Sequence, residues 1–529
     1  PTDGAALVIR PVEPLIYSPD AAPREYSLVL EDGITDLAGN ALAGQEDTFA
    51  LPTFVTEQPR APVVLSAYPG FPCVTEQADL ANHDAGRCLG GKPDDDHLPL
   101  ARLPADRSLR VTFSQDMDPD SVTADTLVVE EIDAAGDPVG DPVDGQVTVG
   151  MRTLTFTPTA PWTVGSLYRY TLRSSEQDPV CGSDAICDRR GLPLQTRLLA
   201  QTPDEAVPAT AGGPDMAIHF VGAPPSHAVM QALRNLPGTD VNANFVLDAG
   251  ETLPSVDPMA LANSTRLSRN PGANPDEDGT AASGNALRDA NVGCGFDADD
   301  APLDCPDETY LFLNGNLDVE VYGYVPPEDI DMADPGIPDQ VKDQGGVLAY
   351  IHPTQVLLSG TVVHVELSDV AASLNFEALP AQTGPQVMRM RYTCNAASGE
   401  CEAPDYGRIK GWIVEEAGEA RFMAQLSLYL DAPELDPEVV NHNLGGELLP
   451  VAHNLRSYPL TLELSGALTF LDDGRLQIRQ QNLSPIELTI ELEIGQPVLL
   501  TGALYLGIET GDAQLEYVSE PIISSPTER

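Results

Sequence analysis

Basic residues are scarce in this sequence. Lysine occurs only at Lys92, Lys342 and Lys410, and Lys and Arg together number 28 against 81 Asp and Glu in a chain of 529 residues. The net charge of −53 would repel nucleic acids and anionic membranes, so we expect no nucleic-acid partner. Such an acidic exterior suits divalent cations or a saline medium, because counterions relieve the repulsion between carboxylates.

Aromatic residues and long apolar runs are also few. Aromatic side chains make up 5% of the chain, and Trp162 and Trp412 are its tryptophans. A tryptophan in a strand pattern such as GRIKGWIV lies more often in a core than on a sugar-binding surface, so we predict a core position for Trp412. The sequence has no apolar run of about 18 residues and no signal-peptide or lipobox pattern. We expect no transmembrane segment in this chain, and we expect any signal or anchor to lie outside it.

Recognised catalytic motifs are missing as well. There is no HExxH, GxSxG, P-loop or GxGxxG pattern. His442 and His453 flank Glu447 in NHNLGGELLPVAH, but a loop of Asn, Gly and His between strands is more often a turn than a metal or substrate site. So many carboxylates give no basis for choosing a glycosidase pair. We predict that the chain is not an enzyme, and we name no catalytic residue.

The cysteines occur as close sequential pairs, each around a polar, turn-rich insert. A local disulfide is the economical explanation, because a short covalent clip holds a loop that cannot bury itself. Zinc is the competing interpretation, but no pair has CxxC spacing with histidines nearby. Even cysteine number and local pairing indicate an oxidising compartment outside the cytoplasm. The predicted disulfides are Cys73–Cys88, Cys181–Cys187, Cys294–Cys305 and Cys394–Cys401.

Residues 58–205 contain strand and turn signals in a recurring order. They include FSQDMDPDSV at 113–122, LTFTPTAPW at 154–162 and GLPL at 191–194. Together these resemble the bacterial immunoglobulin-like (Ig-like) domain of S-layer and other surface proteins. The resemblance implies a β-sandwich that serves as a spacer or scaffold, and it implies no catalytic residue.

Three details qualify this resemblance. DRRGLPL at 188–194 lacks the Asn of the family's closing turn, and the insert 73–97 is not required by the family pattern. We interpret Met117 as core and Asp118 as a turn residue. Residues 1–57 match only the closing half, through the strand Tyr26–Leu30 and DLAGNAL at 36–42. We expect either a longer precursor or a partner to complete this first sheet.

Residues 206–310 have the composition of a loop-rich connector. Ser226–Leu236 predicts a short helix capped by Ser226, with Val229, Met230 and Leu233 on one face and Pro237–Gly238 after it. The stretch DVNANFVLDAGE at 240–251 follows. It places oxygen-bearing side chains at loop positions 1, 3, 5, 9 and 12 and resembles the calcium loops of EF-hand and dockerin proteins.

This resemblance implies a calcium site with one departure from the motif. The implied ligands are Asp240, Asn242, Asn244, the carbonyl of Val246, Asp248 and Glu251. Phe245 occupies the sixth position, where an EF-hand loop has Gly, so it requires an unfavourable φ or a different wrap. A magnesium site or an empty acidic turn is the alternative interpretation. Pro254 and Pro258 disfavour a second helix, so we interpret the loop as a structural clamp and not as a sensor.

A second acidic cluster lies in and near the Cys294–Cys305 pair. Its spacing matches no motif, and we treat it as a weaker cation site. Its candidate ligands are Asp297, Asp299, Asp300 and Asp304.

Residues 311–529 show alternation of apolar and polar side chains with a period of two. Leu317, Val319 and Val321 share one face of a predicted strand, and Phe422–Leu430 and Ile486–Ile494 repeat the pattern. Such strands have one buried and one solvated face. Asp472–Gly474 predicts a hairpin turn. We predict eight to ten strands in an antiparallel β-sandwich or a wide open barrel, and we recognise no family in this part.

The sequence therefore predicts an all-β chain. Its order is tandem Ig-like β-sandwiches (1–57 and 58–205), a loop-rich calcium-binding connector (206–310) and a larger antiparallel β-domain (311–529). The leading functional hypothesis is an exported bacterial cell-surface protein with a structural or adhesive role, stiffened by calcium and assembled with copies of itself or other surface proteins into an array or filament. The alternative is an extracellular carbohydrate- or lipid-binding module, or a hydrolase accessory protein, with its ligand site in the C-terminal β-domain.

Overall fold

The structure is a computed structural model. It describes residues 25–30, 45–50, 59–176, 181–200, 208–235, 240, 243–246, 263–269, 287–292, 308–334, 336–394, 401, 406–471 and 475–520.

The first described element is a β-ribbon. Strands β1 (Glu25–Leu30) and β2 (Gln45–Ala50) pair antiparallel, with Glu25 opposite Ala50. The alternation of Tyr26–Leu30 thus predicts the strand correctly. DLAGNAL at 36–42 lies outside the described residues.

An Ig-like sandwich follows the ribbon. One sheet has the strand order β10-β11-β8-β3, and the other has the order β7-β13-β12-β9. The short strands β4, β5 and β6 form a separate small sheet in the insert 73–97. The strands are β3 (Val64–Tyr68), β4 (Thr75–Glu76), β5 (Asp84–Cys88), β6 (Leu98–Pro99), β7 (Ala101–Pro104), β8 (Leu109–Phe113), β9 (Leu127–Ile132), β10 (Gly145–Val149), β11 (Thr153–Pro158), β12 (Leu167–Leu172) and β13 (Met216–Ala223). Single-turn 3₁₀ helices lie at Leu80–Asn82, Pro119–Ser121 and Leu198–Ala200.

The core of the sandwich is aliphatic and aromatic. Trp162 packs edge-on against Tyr168 and Phe220, whose rings stack on each other. Met117 is fully buried, and Asp118 accepts a hydrogen bond from the N–H of Asp120 in the following turn. Both residues therefore have the structural roles that the sequence predicts.

The segment 206–310 contains strands that join both sheet systems. Strand β13 pairs with β12 inside the Ig-like sandwich. The remaining described strands of this segment are β14 (Val229–Asn235), β15 (Ser264–Arg269) and β16 (Leu287–Asn291).

The predicted helix at Ser226–Leu236 is wrong. Its apolar spacing fits a helix, but residues 229–235 form β14, which pairs with two strands distant in sequence. Leu233 is fully buried, whereas Val229 is 55% exposed. Long-range backbone pairing outweighs the local helical pattern here.

The C-terminal part forms one large antiparallel sheet and a smaller one. Within the described residues the large sheet has 16 strands, and β16, β20 and β22 form the smaller sheet. The further strands are β17 (Glu308–Val325), β18 (Gly346–His352), β19 (Gln355–Leu358), β20 (Val362–Leu367), β21 (Phe376–Ala378), β22 (Ala381–Gln382), β23 (Gln386–Met390), β24 (Ile409–Glu416), β25 (Glu419–Asp431), β26 (Glu438–Asn441), β27 (Glu447–His453), β28 (Tyr458–Phe470), β29 (Leu476–Asn482), β30 (Ile486–Ile494), β31 (Leu500–Ile508) and β32 (Ala513–Ser519). The helices are α1 (Asp339–Gln344) and α2 (Asp369–Ser373), with 3₁₀ turns at Pro327–Asp329 and His442–Leu444.

Strand pairing closes the large sheet on itself. One edge of β17 pairs with β14 and β15, and its other edge pairs with β18 and β19. From there the pairing continues through β24 and β23 to β25, then through β28 and β29 to β32. Strand β32 pairs back with β14 and β15. We call this circuit the closed sheet.

A second group of strands extends from the closed sheet at β15. It runs in the order β31, β30, β27, β26, β21, and we call it the side sheet. Strand β30 shows the predicted pattern, with Leu488, Ile490, Leu492 and Ile494 buried and the alternate glutamates exposed. The predicted β28–β29 hairpin is also present.

The buried face of these strands forms one core cluster shared by the closed sheet and the side sheet. Trp412 is 3% exposed and belongs to a neighbouring core cluster with Val341 and Val414, which confirms its predicted core position. No helix among the described residues is both long and apolar enough to cross a membrane.

Candidate functional site

The Ig-like sandwich and the closed sheet meet at a junction that strand β3 forms with β17 and β19. The side chains of Thr354 and Gln355 donate hydrogen bonds to the carbonyls of Leu65 (2.7 Å) and Val64 (2.6 Å). Asn316 Nδ2 donates to Ser66 Oγ at 2.9 Å. All of these groups are buried and hydrogen-bonded to each other, so the contact is a specific polar interface.

Two carboxylates of β17 are buried at this junction. Asp318 and Glu320 are 2% and 1% exposed, although period-two alternation predicts that they face solvent. The prediction is wrong for this strand because β3 covers its polar face. The apolar face with Leu317 and Val319 packs into the core as predicted.

The environments of the two carboxylates shift their pKa values in opposite directions. Burial raises the pKa of Asp318, and its electrostatic interactions with Arg110 and His352 only partly offset this rise. Burial also acts to raise the pKa of Glu320, but His352, Arg408 and Tyr322 outweigh it and lower the pKa to about 2. The pKa values of two neighbouring acids on one strand face are thus shifted in opposite directions because their partners differ.

Glu320 is the centre of the charged contacts at the junction. It is ion-paired with Arg408 and lies 3.8 Å from His352 Nε2, which is too far for a hydrogen bond. Tyr68 OH donates to Glu320 Oε1 at 3.3 Å. The ring of Tyr68 packs edge-on against His352 at 4.8 Å.

The insert 73–97 forms a second contact with the closed sheet. Arg389 on β23 is 5% exposed and lies between two buried carboxylates, with Nη2 3.0 Å from Asp95 Oδ2 and Nε 2.8 Å from Asp431 Oδ2. Ser457 Oγ donates to Asp95 Oδ2 at 2.7 Å. The insert absent from the Ig-like pattern therefore joins the sandwich to the sheet.

Disulfides hold this insert and two other loops. The structure joins Cys73 to Cys88, Cys181 to Cys187 and Cys394 to Cys401 in the predicted pairing. The predicted Cys294–Cys305 bond lies outside the described residues. The Cys73–Cys88 bond encloses the loop that leads into Asp95, so it shapes the segment that contacts Arg389.

The first half of the predicted calcium loop lies at the same junction. Asp240 accepts hydrogen bonds from the N–H groups of Asn244 (3.2 Å) and Phe245 (3.1 Å), and Asn244 Oδ1 accepts one from the N–H of Val246 (2.9 Å). Phe245 has a φ of 60°, which is the first of the two alternatives, an unfavourable φ or a different wrap, that the sequence leaves open for this position.

The ring of Phe245 explains how the loop tolerates this conformation. Phe245 is 2% exposed and packs with Val63 and Leu65 of the sandwich and with Leu357 of the closed sheet. Burial of the ring offsets the backbone strain of roughly 1–3 kcal/mol. Asn242, Asp248 and Glu251 lie outside the described residues, as do Asp297, Asp299, Asp300 and Asp304.

A cleft of about 480 Å³ opens beside the junction, between the sandwich and β14. Arg110 and Glu520 form a two-hydrogen-bond ion pair on its wall (2.8 and 2.6 Å). Arg107, Asp106, Val229 and Met230 also line it. Its charges balance, and its apolar surface is small, so the cleft has the character of a gap between domains.

The histidines that the sequence singles out do not come together. His442 Nε2 lies 2.7 Å from Glu377 Oε2 at one end of β27, and His453 at the other end contacts the carbonyl of Leu435. Among the described residues no group of three or more His, Cys, Asp or Glu side chains is placed to hold a metal ion.

Sequence reasoning missed the residues that build the junction. Period-two alternation places Asp318 and Glu320 on a solvated face, and no sequence motif identifies Arg389, Asp95 or Asp431. Arg389 sits among apolar residues in PQVMRMRY, and a charged residue in such a strand is a signal of a buried partner. The sequence does not reveal which carboxylates pair with it, because Asp95 is 294 residues away.

The fold and the junction define a class of protein, in which an Ig-like domain packs against a large antiparallel sheet through buried hydrogen bonds. Residues 100–183 match the family model of the bacterial Ig-like domain. The chain therefore contains such a domain, as the sequence resemblance implies. The match covers strands β7 to β12 and ends within the loop that the Cys181–Cys187 bond closes.

A named relative extends the similarity to the whole chain. The chain is 33% identical to alkane uptake protein B of Marinobacter nauticus over 558 residues, which cover 99% of this chain and 48% of the relative. The chain thus spans about half the length of this curated relative.

Proposed function

We propose that this chain is an exported surface module that takes part in the uptake of alkanes or similarly apolar molecules. The observation that carries the proposal is its similarity to alkane uptake protein B over 99% of its length. The similarity favours the lipid-binding alternative, although the structural or adhesive role is the leading hypothesis from the sequence alone. Because half of the relative has no counterpart here, the proposal concerns a binding step and not a complete uptake process.

Two features support an exported location. The disulfides persist in oxidising compartments outside the cytoplasm. The Ig-like domain matches a bacterial family, and in this chain it packs against the closed sheet through buried hydrogen bonds. In the proposed role the sandwich is a rigid mount that fixes the orientation of the large sheet at the cell surface.

The proposed role is binding without catalysis. Five charged groups of the two contacts are held in ion pairs within the fold: Arg389 with Asp95 and Asp431, and Arg408 with Glu320. The charge pattern fits an uncharged ligand, because a chain with a net charge of −53 repels anionic molecules.

Retention of radiolabelled hexadecane tests the proposal. The purified chain is mixed with a hexadecane emulsion, cleared by centrifugation and passed through a gel-filtration column. We expect more label to co-elute with the chain than with a control protein of similar size and similar net negative charge. Label at the level of that control would refute the proposed role, because the chain would then not retain alkane molecules.

We further propose that calcium binds the loop at 240–251 and stiffens the junction. Asp240 and Asn244 carry side-chain oxygens of the kind that calcium prefers as ligands, and backbone hydrogen bonds hold both side chains within the loop. Asn242, Asp248 and Glu251 would complete the set. An ion that binds only the ordered loop stabilises the folded chain by linkage.

A melting experiment tests the calcium proposal. We expect a chelator to lower the melting temperature of the parent chain and to leave that of Asp240→Asn/Asp248→Asn nearly unchanged. The same double change at the distant exposed positions Asp125→Asn/Asp141→Asn provides the control and should keep the chelator response. An identical curve for the parent with and without chelator would rule the site out.

A further inference from the structure

One rim of the side sheet exposes a row of aliphatic side chains. Four exposed residues define it: Leu374 (47%), Leu448 (51%), Val498 (49%) and Leu499 (48%). We call this set the aliphatic rim. Isolated apolar residues on a surface are ordinary, but a contiguous group marks an interaction surface.

Strand register brings these four residues to the same end of the side sheet. Val451 pairs with Ile494, and Gly495 N–H donates to the carbonyl of Pro450, so continuing the register places Leu448 opposite the turn at 496–499. That turn carries Val498 and Leu499. The rim therefore combines the start of β27 with the β30–β31 turn.

Leu374 joins the rim from the other side. Its carbonyl accepts a hydrogen bond from Asn443 Nδ2 in the turn that connects β26 to β27. His442 N–H in the same turn donates to the carbonyl of Asn375. The end of α2 is thus held against the turn that precedes Leu448.

The size of the rim argues against a protein partner. Four half-exposed aliphatic side chains offer roughly a few hundred Å², which is below the about 800 Å² per partner of a stable protein interface. A liquid apolar phase needs no complementary shape, so each projecting side chain contributes to binding on its own.

The charged residues around the rim favour an uncharged apolar phase over an anionic lipid surface. The neighbouring charged groups include the exposed carboxylates Glu377, Glu447 and Glu493, and the nearby His442 is paired with Glu377. Carboxylates at this position repel an anionic lipid surface, and membrane-surface segments that bind such lipids carry Lys and Arg instead.

We infer that the aliphatic rim inserts into the surface of an uncharged liquid hydrocarbon. This inference rests on the proposed function and assigns contact with the apolar substrate to the edge of the side sheet. The rim brings the closed sheet against a hydrocarbon droplet, with the acidic surface of the remaining chain in water.

Adsorption to hexadecane droplets tests the rim directly. The parent chain is compared with Leu448→Ser/Val498→Ser/Leu499→Ser and with the control Val139→Ser/Val164→Ser/Val229→Ser, whose valines are 52–55% exposed elsewhere. We expect adsorption of the rim variant to fall at least about tenfold, because each removed aliphatic group loses its transfer free energy. The control should stay within about twofold of the parent by the same principle. All three proteins should have the same melting temperature, because the changed side chains are exposed.

A fluorescence measurement gives an independent signal. The tryptophans of the parent are buried, so Leu499→Trp reports its own surroundings. We expect its emission to shift to the blue on contact with hexadecane, whereas Val164→Trp should not shift.

Several results would overturn the inference. Equal adsorption of the rim variant and the parent would locate the contact elsewhere, and concentration-dependent dimerisation abolished by the rim changes would assign the rim to a second copy. Stronger binding to anionic than to zwitterionic vesicles would make the rim a membrane surface. If the parent retains no hexadecane in gel filtration but adsorbs to droplets through the rim, the proposed function fails and the inference stands.

Discussion

Arg389 is the residue on which the contact between the insert and the closed sheet depends. Its guanidinium neutralises Asp95 and Asp431, and all three side chains are buried. Arg389→Met keeps the length and apolar stem of the side chain but leaves two carboxylates without a partner. We expect a loss of about 3–5 kcal/mol in the free energy of unfolding, the range measured for breaking a buried ion pair.

A denaturant titration of Arg389→Met measures this loss. Arg479→Ala provides the control, because Arg479 also pairs with a carboxylate, Glu516, but is 67% exposed. We expect the control to change stability by about 0.5 kcal/mol or less, as is typical of exposed pairs. Similar losses in both variants would contradict the role assigned to the buried pair.

Asp318 makes the stability of the junction depend on pH. Burial raises its pKa in the folded chain, so its favourable contribution is complete below the unfolded-state pKa of about 3.9 and is lost as the pH rises through the folded pKa. Asp318→Asn removes this titration while retaining the shape of the side chain. We therefore expect the variant to gain stability relative to the parent as the pH rises above about 4, the ordinary pKa of an Asp carboxyl.

Urea midpoints measured across that range test the Asp318 prediction. The groups around Asp318 include Arg110, His352, Ser66 and Glu520, and they are unchanged in the variant. Glu320 has a lowered pKa, so its contribution is lost only in acid, as the pH falls toward about 2. A stability difference between Asp318→Asn and the parent that does not change with pH would show that Asp318 does not titrate in this way.

At the scale of single elements, local alternation predicts strands but not what covers them. β25 and β30 follow the predicted pattern because one face packs into the core and the other meets solvent. β17 shows the same alternation, yet both faces are buried from Gly315 to Glu320, because β3 of another domain covers the polar face there. Which strands receive such a cover depends on contacts between residues hundreds of positions apart, so alternation alone does not show it.

For β14 the local pattern predicts the wrong type of secondary structure. Its sequence VMQALRN has helical spacing, and its pairing with β17 and β32 decides its structure. The φ of Phe245 and the close pairing of the described cysteines were predictable because both depend on local geometry. The aliphatic rim was not predictable, because it appears only when the turns at 442–446 and 495–499 come together at one end of the side sheet.

The two disulfides of the Ig-like region should differ in their effect on stability. Cys73–Cys88 closes a separation of 15 residues and Cys181–Cys187 one of 6. If the bonds act mainly on the entropy of the unfolded chain, their removal costs about 3 and about 2 kcal/mol, respectively. We expect a larger loss for Cys73→Ala/Cys88→Ala than this difference alone predicts, because the loop also positions Asp95 against Arg389.

A double-mutant comparison separates the two contributions. When Arg389→Met is already present, removal of Cys73–Cys88 should cost less than it does in the parent, whereas removal of Cys181–Cys187 should cost the same in both backgrounds. Additive effects for both disulfides would mean that the insert does not transmit the disulfide's constraint to the closed sheet. Guanidinium titrations of the parent and the five variants, with each cysteine replaced by alanine throughout, provide these values.

At the scale of the whole molecule, we expect the junction to join the sandwich and the closed sheet into one cooperative unit. Buried hydrogen bonds run from Thr354 and Gln355 to carbonyls of β3, and one apolar cluster contains Val63, Leu65, Phe245 and Leu357. Independent domains with a small polar interface unfold separately. We therefore expect a single calorimetric transition for the residues of both regions.

Breaking the buried hydrogen bonds should separate this transition into two. Thr354→Val/Gln355→Ala leaves two buried carbonyls without partners, at a cost of about 1–3 kcal/mol each, without changing either core. The control Gln146→Ala/Thr501→Val makes the same kinds of change at exposed positions on the sandwich and the side sheet and should retain one transition. In the proposed role, a rigid junction holds the aliphatic rim at a fixed angle to the sandwich. The rim itself lies on the side sheet and not at the junction. The variant Thr354→Val/Gln355→Ala should therefore still adsorb to hexadecane in solution. Two transitions in the parent chain would instead mean that the sandwich is a flexible tether, and the rim would then be oriented by the droplet and not by the protein.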